Sequence, residues 1–188
     1  MTMNMIMHAL VSPEGEIVDR RLQDPENLPA TRPGWRWLVE IREDAAVDPD
    51  SEVEVEETVT VEVDRVVRAR GKRALTTAEL DAYVAEHHRD SLTAGINWQG
   101  RQIAIDEKFV SRITGAALKA SRDPAHVFRW EVTDKVFVSI DAETAITLAD
   151  LVVDRMQACF DAKDRAYAAI SNGSITNKAQ VRAEFGDL

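Results

Sequence analysis

The sequence predicts an α+β protein, with a strand-rich N-terminal module and linking helix over residues 1–92. Residues 93–188 then form two β-hairpins packed with helices, one of them long. Three observations carry this reading. Val53, Val55, Val59, Val61 and Val63 recur with the period of two that a strand with one buried face requires. Thr76 stands three residues before Glu79, the capping-box spacing that opens a helix. From Asp141 to Ile170 apolar residues return every three or four positions, the stripe of a helix about 43 Å long at ~1.5 Å per residue.

Met5 to Val11 suit a strand, Ser12-Pro13-Glu14-Gly15 supplies a turn with proline second, and Glu16 to Val18 make the short return strand of a hairpin. Pro25, Pro29, Pro33 and Gly34 mark an irregular connection. Trp35, Trp37 and Val39 then alternate with Arg36, Leu38 and Glu40, so one face of this strand is expected in the core. Asp48-Pro49-Asp50 breaks the chain before the valine series, which Glu57 interrupts. Asp64-Arg65, between Val59–Val63 and Val66–Arg70, predicts a hairpin with a two-residue connection. Glu52, Glu54 and Glu56 fall opposite the valines, ~7 Å apart, where repulsion in water is only ~0.6 kcal/mol per pair. Their expected role is a solvated edge that resists pairing with other sheets, with docking of a basic partner as the functional alternative.

The helix opened by Thr76 has Leu75 and Leu80 at the two staple positions and carries Leu80, Tyr83, Val84 and His87 at helical spacing. It ends near Ser91 or Leu92, before Gly95, and the division between the halves is placed there. Ile96 and Trp98, the turn Gln99-Gly100, then Ile103 and Ile105 predict a hairpin. Asp106 caps a helix to about Ala120 whose inward stripe is Phe109, Val110, Ile113, Ala116, Ala117 and Ala120, and Asp123-Pro124 stops it. Phe128, Trp130 and Val132, a turn at Thr133-Asp134-Lys135, and Val136, Val138 and Ile140 make the second hairpin.

Asp141 caps the long helix, with Ala145, Leu148, Ala149, Val152, Met156, Cys159, Phe160, Lys163 and Tyr167 on its stripe. Covering so long a stripe within one small domain is demanding, so self-association competes with cover by the hairpins and the preceding helix. Asn172-Gly173 ends the long helix, and Thr176 caps a last short one to Phe185.

Composition narrows the function classes. The 188 residues include 33 acidic and 23 basic side chains, a net charge of −10, whereas a nucleic-acid reader needs clustered Lys and Arg to release counterions. The start, MTMNMIMHALV, lacks the basic region of a signal peptide, and its apolar run is too short for a membrane anchor. Cys159, the one cysteine, sits on an apolar helical face and is expected to be buried as a small hydrophobe.

Catalytic constellations are not apparent. His8, His87, His88 and His126 are scattered, and adjacent helical residues point about 100° apart, so His87 and His88 are not placed to chelate one ion. Asp48-Pro49-Asp50 lacks the alternating oxygens and closing Glu of a calcium loop. There is no GxSxG elbow, HExxH pair or glycine-rich phosphate loop. Asp106 and Asp141 are explained as helix caps, and Trp98 and Trp130 as core residues of alternating strands rather than sugar platforms. No catalytic, cofactor-binding or metal-ligating residue is expected, and no cofactor.

The segments INWQGRQIAIDEKFVSRITGAALKA, FRWEVTDKVFVSIDAETA and ACFDAKDRAYAAISNGSITNKAQVRAEF together resemble a domain of unknown function found in tailed-phage tail-fibre and tail-associated proteins. The shared pattern lies at Trp98 and Gly100, Asp106 and Ser111, Gly115-Ala116-Ala117, Trp130, Cys159-Phe160 and Gly173-Ser174-Ile175-Thr176. Gln99 and Ser174 depart from it, where Asn or Asp and Thr are usual. The N-terminal half is similar to the strand-rich front of small phage tail proteins, on a less specific pattern.

The resemblance implies a virion tail protein made in the host cytoplasm. The expected role is structural, not enzymatic: an adaptor in tail-fibre or baseplate attachment. Its expected partners are other tail proteins of the fibre, baseplate or tail tube, and further copies of itself as a homo-oligomer, with neither nucleic acid nor membrane insertion. The rival expectation is a fibre-assembly chaperone absent from the mature particle. A glycan-cleaving enzyme ranks third, since no pair of carboxylates stands out.

Overall fold

The computed structural model describes residues 5–133, 135–186 and 188, and the fold is mixed α+β. It divides into two compact units, Met1–Ala74 and Leu75–Leu188. The division thus falls at the start of the linking helix and not at its end near Leu92. The reason is packing: Leu80 and Val84 of that helix share a buried cluster with Ala162, Ala166 and Phe185.

In the first unit, β1 (Ile6–Val11), β2 (Ile17–Gln23), β3 (Arg36–Arg42), β4 (Glu52–Val61) and β5 (Arg65–Ala74) form one sheet in the order β2-β1-β3-β5-β4. Ser12 and Gly15, the latter at φ 88°, close the first turn through Gly15 N–H to Ser12 O at 3.0 Å. β2 runs past the expected Val18 to Gln23 because its polar residues pair along the whole of β1, from Val11↔Ile17 to Ile6↔Gln23. β5 returns between β4 and β3 and lies parallel to β3.

The buried residue of β3 is Leu38, not Trp37 or Val39. Leu38 pairs with Ala9 and joins Val11 and Val66 in a small cluster flanked by Ile17 and Val61. Trp37 occupies the opposite face, where its indole N–H donates to Pro29 O at 3.0 Å and Arg21 lies over the ring.

The odd-numbered valines do not share a face. Glu54 pairs with Lys72 and Glu57 with Arg70, so β4 carries one extra residue opposite Gly71, and this bulge inverts the alternation. Val59 and Val61 therefore lie on the face of Glu52 and Glu54, with Val53 on the other. The bulge brings the acidic side chains onto the basic row of β5. Glu52 pairs with Lys72 at 2.9 Å, Glu54 with Arg70 at 3.1 Å, and Glu57 with Arg68. Glu40, its side chain 7% exposed, bridges Arg68 and Arg20. Glu52 and Glu54 of the expected run, with Glu57 beside them in place of Glu56, thus meet cations within their own sheet. The β4–β5 connection turns on Val63-Asp64, one residue earlier than predicted, closed by Glu62 N–H to Arg65 O at 2.8 Å.

In the second unit, α1 (Thr77–Ala94) opens with the full capping box of Thr76 and Glu79. β6 (Ile96–Trp98) and β7 (Arg101–Ile103) pair through Gln99-Gly100, both at positive φ (51° and 76°), the hairpin turn whose twist matches its strands. α2 (Glu107–Arg122) is capped by Asp106, and β8 (Phe128–Thr133) pairs with β9 (Val136–Ile140). Of the turn between those strands, Asp134 lies outside the described residues.

α3 (Ala142–Ser171), capped by Asp141, is followed by α4 (Lys178–Phe185), whose cap is Asn177 rather than Thr176. Asn177 Oδ1 accepts from Gln180 N–H at 2.9 Å, while Thr176 donates its N–H to the Gln180 side chain.

The stripe of α3 is covered within the unit. Ala145, Leu148 and Val152 pack with α2 and the two hairpins. Further on, Ala162, Ala166 and Ile170 pack with α1 and α4, and Cys159 is fully buried. Two separate clusters share the task, which removes the uncovered stripe as a motive for self-association. Phe160, expected on the stripe, instead stands 48% exposed beside the His88 ring. Alanines 162 and 166 take the inward positions because they let the helices approach closely.

Candidate functional site

Among the described residues, no group of three or more His, Cys, Asp or Glu is placed to hold a metal ion, and no helix is long and apolar enough to cross a membrane. The histidines sit apart, each beside an aromatic ring or a backbone carbonyl. His8 Nδ1 lies 2.9 Å from Ile6 O, His87 stacks on Tyr83 and meets the edge of Phe185, and His126 packs on Phe128. His88 is buried with its Nε2 unpartnered among the described residues. Burial, with Lys163 nearby, holds its imidazole below the ordinary range. Burial likewise pushes the Cys159 thiol up, away from the thiolate a nucleophile needs. Trp98 and Trp130 are core residues, 9% and 6% exposed.

Asp106 and Asp141 perform the capping predicted for them, accepting from Phe109 N–H at 2.6 Å and Thr144 N–H at 2.8 Å. The hydrogen bonds from Thr144 hold the Asp141 carboxyl below the usual carboxylate range, so it remains an anion at the helix start.

What the second unit offers is surface. A groove of about 400 Å³ runs between α2 and β8, lined by Arg112, Gly115 and Ala116 on one wall and by His126 to Trp130 on the other. The Arg112 guanidinium lies 4.9 Å from the Trp130 ring centroid, and Phe109 meets the same ring edge-on. Arg129 stands over Phe137 at 5.3 Å. Neither guanidinium has an ion pair among the described residues. Val127 and Phe137 are 61% and 50% exposed beside them. A second opening of about 340 Å³, between Leu92, Ile105, Val110 and Met156, is almost wholly apolar.

Residues 75–185, more than half of the chain, match the family model described as "Domain of unknown function (DUF4376)". The chain belongs to this family. No curated protein and no solved structure matches the chain. The matched segment opens with the Leu75 staple and closes on Phe185, so the DUF4376 domain coincides with the second compact unit, α1 included.

The sequence marks Ala116, His126, Phe128 and Trp130 of the DUF4376 domain one by one, but not as the walls of one groove, and it does not mark Arg112 or Arg129. The FRW alternation shows that Trp130 and Arg129 face opposite sides of β8. It does not show that α2 brings Arg112 over Trp130, a contact made across 18 positions of chain. Ala116 and Ala120 pack with Ala142, Ala145 and Leu148 of α3, while Gly115 and Ala116 also line the groove beside β8.

Proposed function

We propose that this protein is a structural component of a bacteriophage tail, an adaptor in tail-fibre or baseplate attachment that works by binding other proteins and catalyses no reaction. The observation that carries the reading is the surface of the DUF4376 domain. Its core is closed by two clusters, yet Leu118, Val127, Phe137, Val153 and Phe160 remain about half exposed or more, and arginines stack on aromatic rings beside them. Aromatic and arginine side chains are the residues enriched at protein interfaces. The tail is the setting favoured by the residue pattern from Trp98 to Thr176. Fibre, baseplate and tail-tube proteins are the proposed partners, and synthesis in the host cytoplasm precedes assembly.

Association of copies belongs to the same proposal. With the buried stripe of α3 closed, its surface is assigned to Ile146, Val153 and Phe160, seven residues apart and all exposed.

Mass spectrometry of density-purified particles tests the reading. An adaptor is present at stoichiometric abundance. Absence from particles, with recovery from infected-cell extracts bound to unassembled fibre protein, would overturn it in favour of an assembly chaperone.

A further inference from the structure

We propose that the groove between α2 and β8 is a docking site for an extended, acidic peptide segment of the neighbouring protein, which adds to β8 as a third strand. The inference rests on the adaptor reading and deepens it by assigning the surface and the chemistry of its partner.

Backbone geometry is the first ground. β8 and β9 form a sheet of two strands, so among the described residues the second edge of β8 has no strand partner. An open edge presents a row of main-chain donors and acceptors that an extended segment satisfies. This edge is not occluded: the α2 wall opposite is built from Gly115 and Ala116, and a Cβ placed on Gly115 would meet nothing within 4 Å.

Charge is the second ground. In a chain of net charge −10, the groove is lined by Arg112, His126 and Arg129 and by no carboxylate. Asp123 stands next to it, 3.8 Å from the His126 ring, but its carboxylate is engaged by Lys119 at 2.9 Å. The Arg112 guanidinium is held against Trp130 without an anionic partner among the described residues, so its donors are already positioned when a carboxylate arrives. Val127, 61% exposed just before β8 and of the parity opposite to Trp130, supplies apolar contact for the side chains of the entering strand that face away from Arg112.

The site differs from the charged row of the first unit, where every glutamate of the bridging set meets its own arginine or lysine. There the charges are satisfied within the fold. Here one sign is present and the complement is missing.

The test uses the full chain and a fluorescein-labelled eight-residue peptide alternating Val and Glu, read by fluorescence anisotropy, with Val/Gln and Val/Lys peptides as comparisons. The Val/Glu peptide is expected to bind about 10-fold or more tightly than either, because charge-assisted hydrogen bonds are roughly twice as strong as neutral ones and a lysine meets like charge. Arg112→Gln should weaken it by about 10-fold. Gly115→Leu, which fills the groove from an open helical position, should abolish binding while leaving the melting temperature at or above that of the parent. No binding, equal binding of the Val/Lys peptide, or binding unaffected by Gly115→Leu would overturn the assignment. So would self-association of the chain that Gly115→Leu abolishes, since the occupant would then be a second copy. Presence in purified particles without peptide binding leaves the adaptor reading standing and the groove assignment fallen; peptide binding with absence from particles does the reverse.

Discussion

Four buried apolar residues, Ala9, Val11, Leu38 and Val66, make the cluster of the sheet unit, whereas the DUF4376 unit holds one cluster of twelve and another of eight. The sheet compensates with its hydrogen-bonded ladder and a row of cross-strand ion pairs, most of them exposed and each worth ~0–1 kcal/mol. Apolar burial contributes ~25 cal/mol per Å², so the imbalance in buried side chains outweighs the ion pairs. The difference teaches that the two units are stabilised by different terms. The DUF4376 unit is expected to be the more stable of the two, with the sheet unfolding first.

The largest effect that breaks this comparison comes from Phe185, 1% exposed and packed edge-on against His87. Phe185→Ala should cost ~3–5 kcal/mol, because it opens a cavity where α1, α3 and α4 meet. Calorimetry should show the upper transition falling while the lower one stays in place.

Next come the glycines that end helices. At Gly95, φ 73°, a Cβ would stand 1.9 Å from Ile103 O, so Gly95→Ala meets both a left-handed backbone and a backbone clash. At Gly173, φ 78°, the space is open, and Gly173→Val meets the conformational cost of ~1–2 kcal/mol alone. Thermal melts should therefore rank Gly95→Ala as the more damaging, although alanine is the smaller residue; the reverse order would mean that the β7 end yields readily.

Within the sheet, Glu40→Gln leaves Arg20 and Arg68 without their shared carboxylate and should cost about 2 kcal/mol, the worth of a charged hydrogen bond that is partly shielded from water. Only the lower transition should move. Glu54→Gln, on an exposed pair, should shift it hardly at all.

The smallest effect is on pH. Burial depresses the His88 imidazole below its ordinary 6.5, so the unfolded chain takes up a proton before the folded one does. This contribution is complete above pH 6.5 and diminishes as pH falls through that value. The upper transition should drop between pH 7.5 and 5.5, and His88→Leu should remove the slope. The hydrogen-bonded Asp141, lowered from 3.8, contributes stability above that value and loses it only as pH falls further, outside this window.

Much of the DUF4376 unit was legible because its signals are local: a capping box at Thr76, Asp106 and Asp141 each facing the third amide on, and a Gln-Gly turn. The sheet was harder to read. A single extra residue at Val55-Glu56 inverts the face of everything before it, and Val/Glu alternation carries no mark of where that residue sits. Leu38 is masked by apolar neighbours on both sides, Trp37 and Val39, and which of the two faces is buried is decided by what β1 places opposite. Phe160 falls off the buried stripe because periodicity gives a stripe its spacing, while its centre is set by which neighbours cover it. The groove was illegible for a related reason: it exists only where α2 and β8 meet.

The most direct test of the two-unit account is calorimetry on a fragment of residues 75–188 beside one of 93–188. The account predicts one cooperative transition for 75–188, at the temperature of the full chain's upper transition, and a lower, broadened one for 93–188, which lacks Leu80 and Val84. Equal, cooperative melting of the two fragments, or a non-cooperative 75–188, would contradict it.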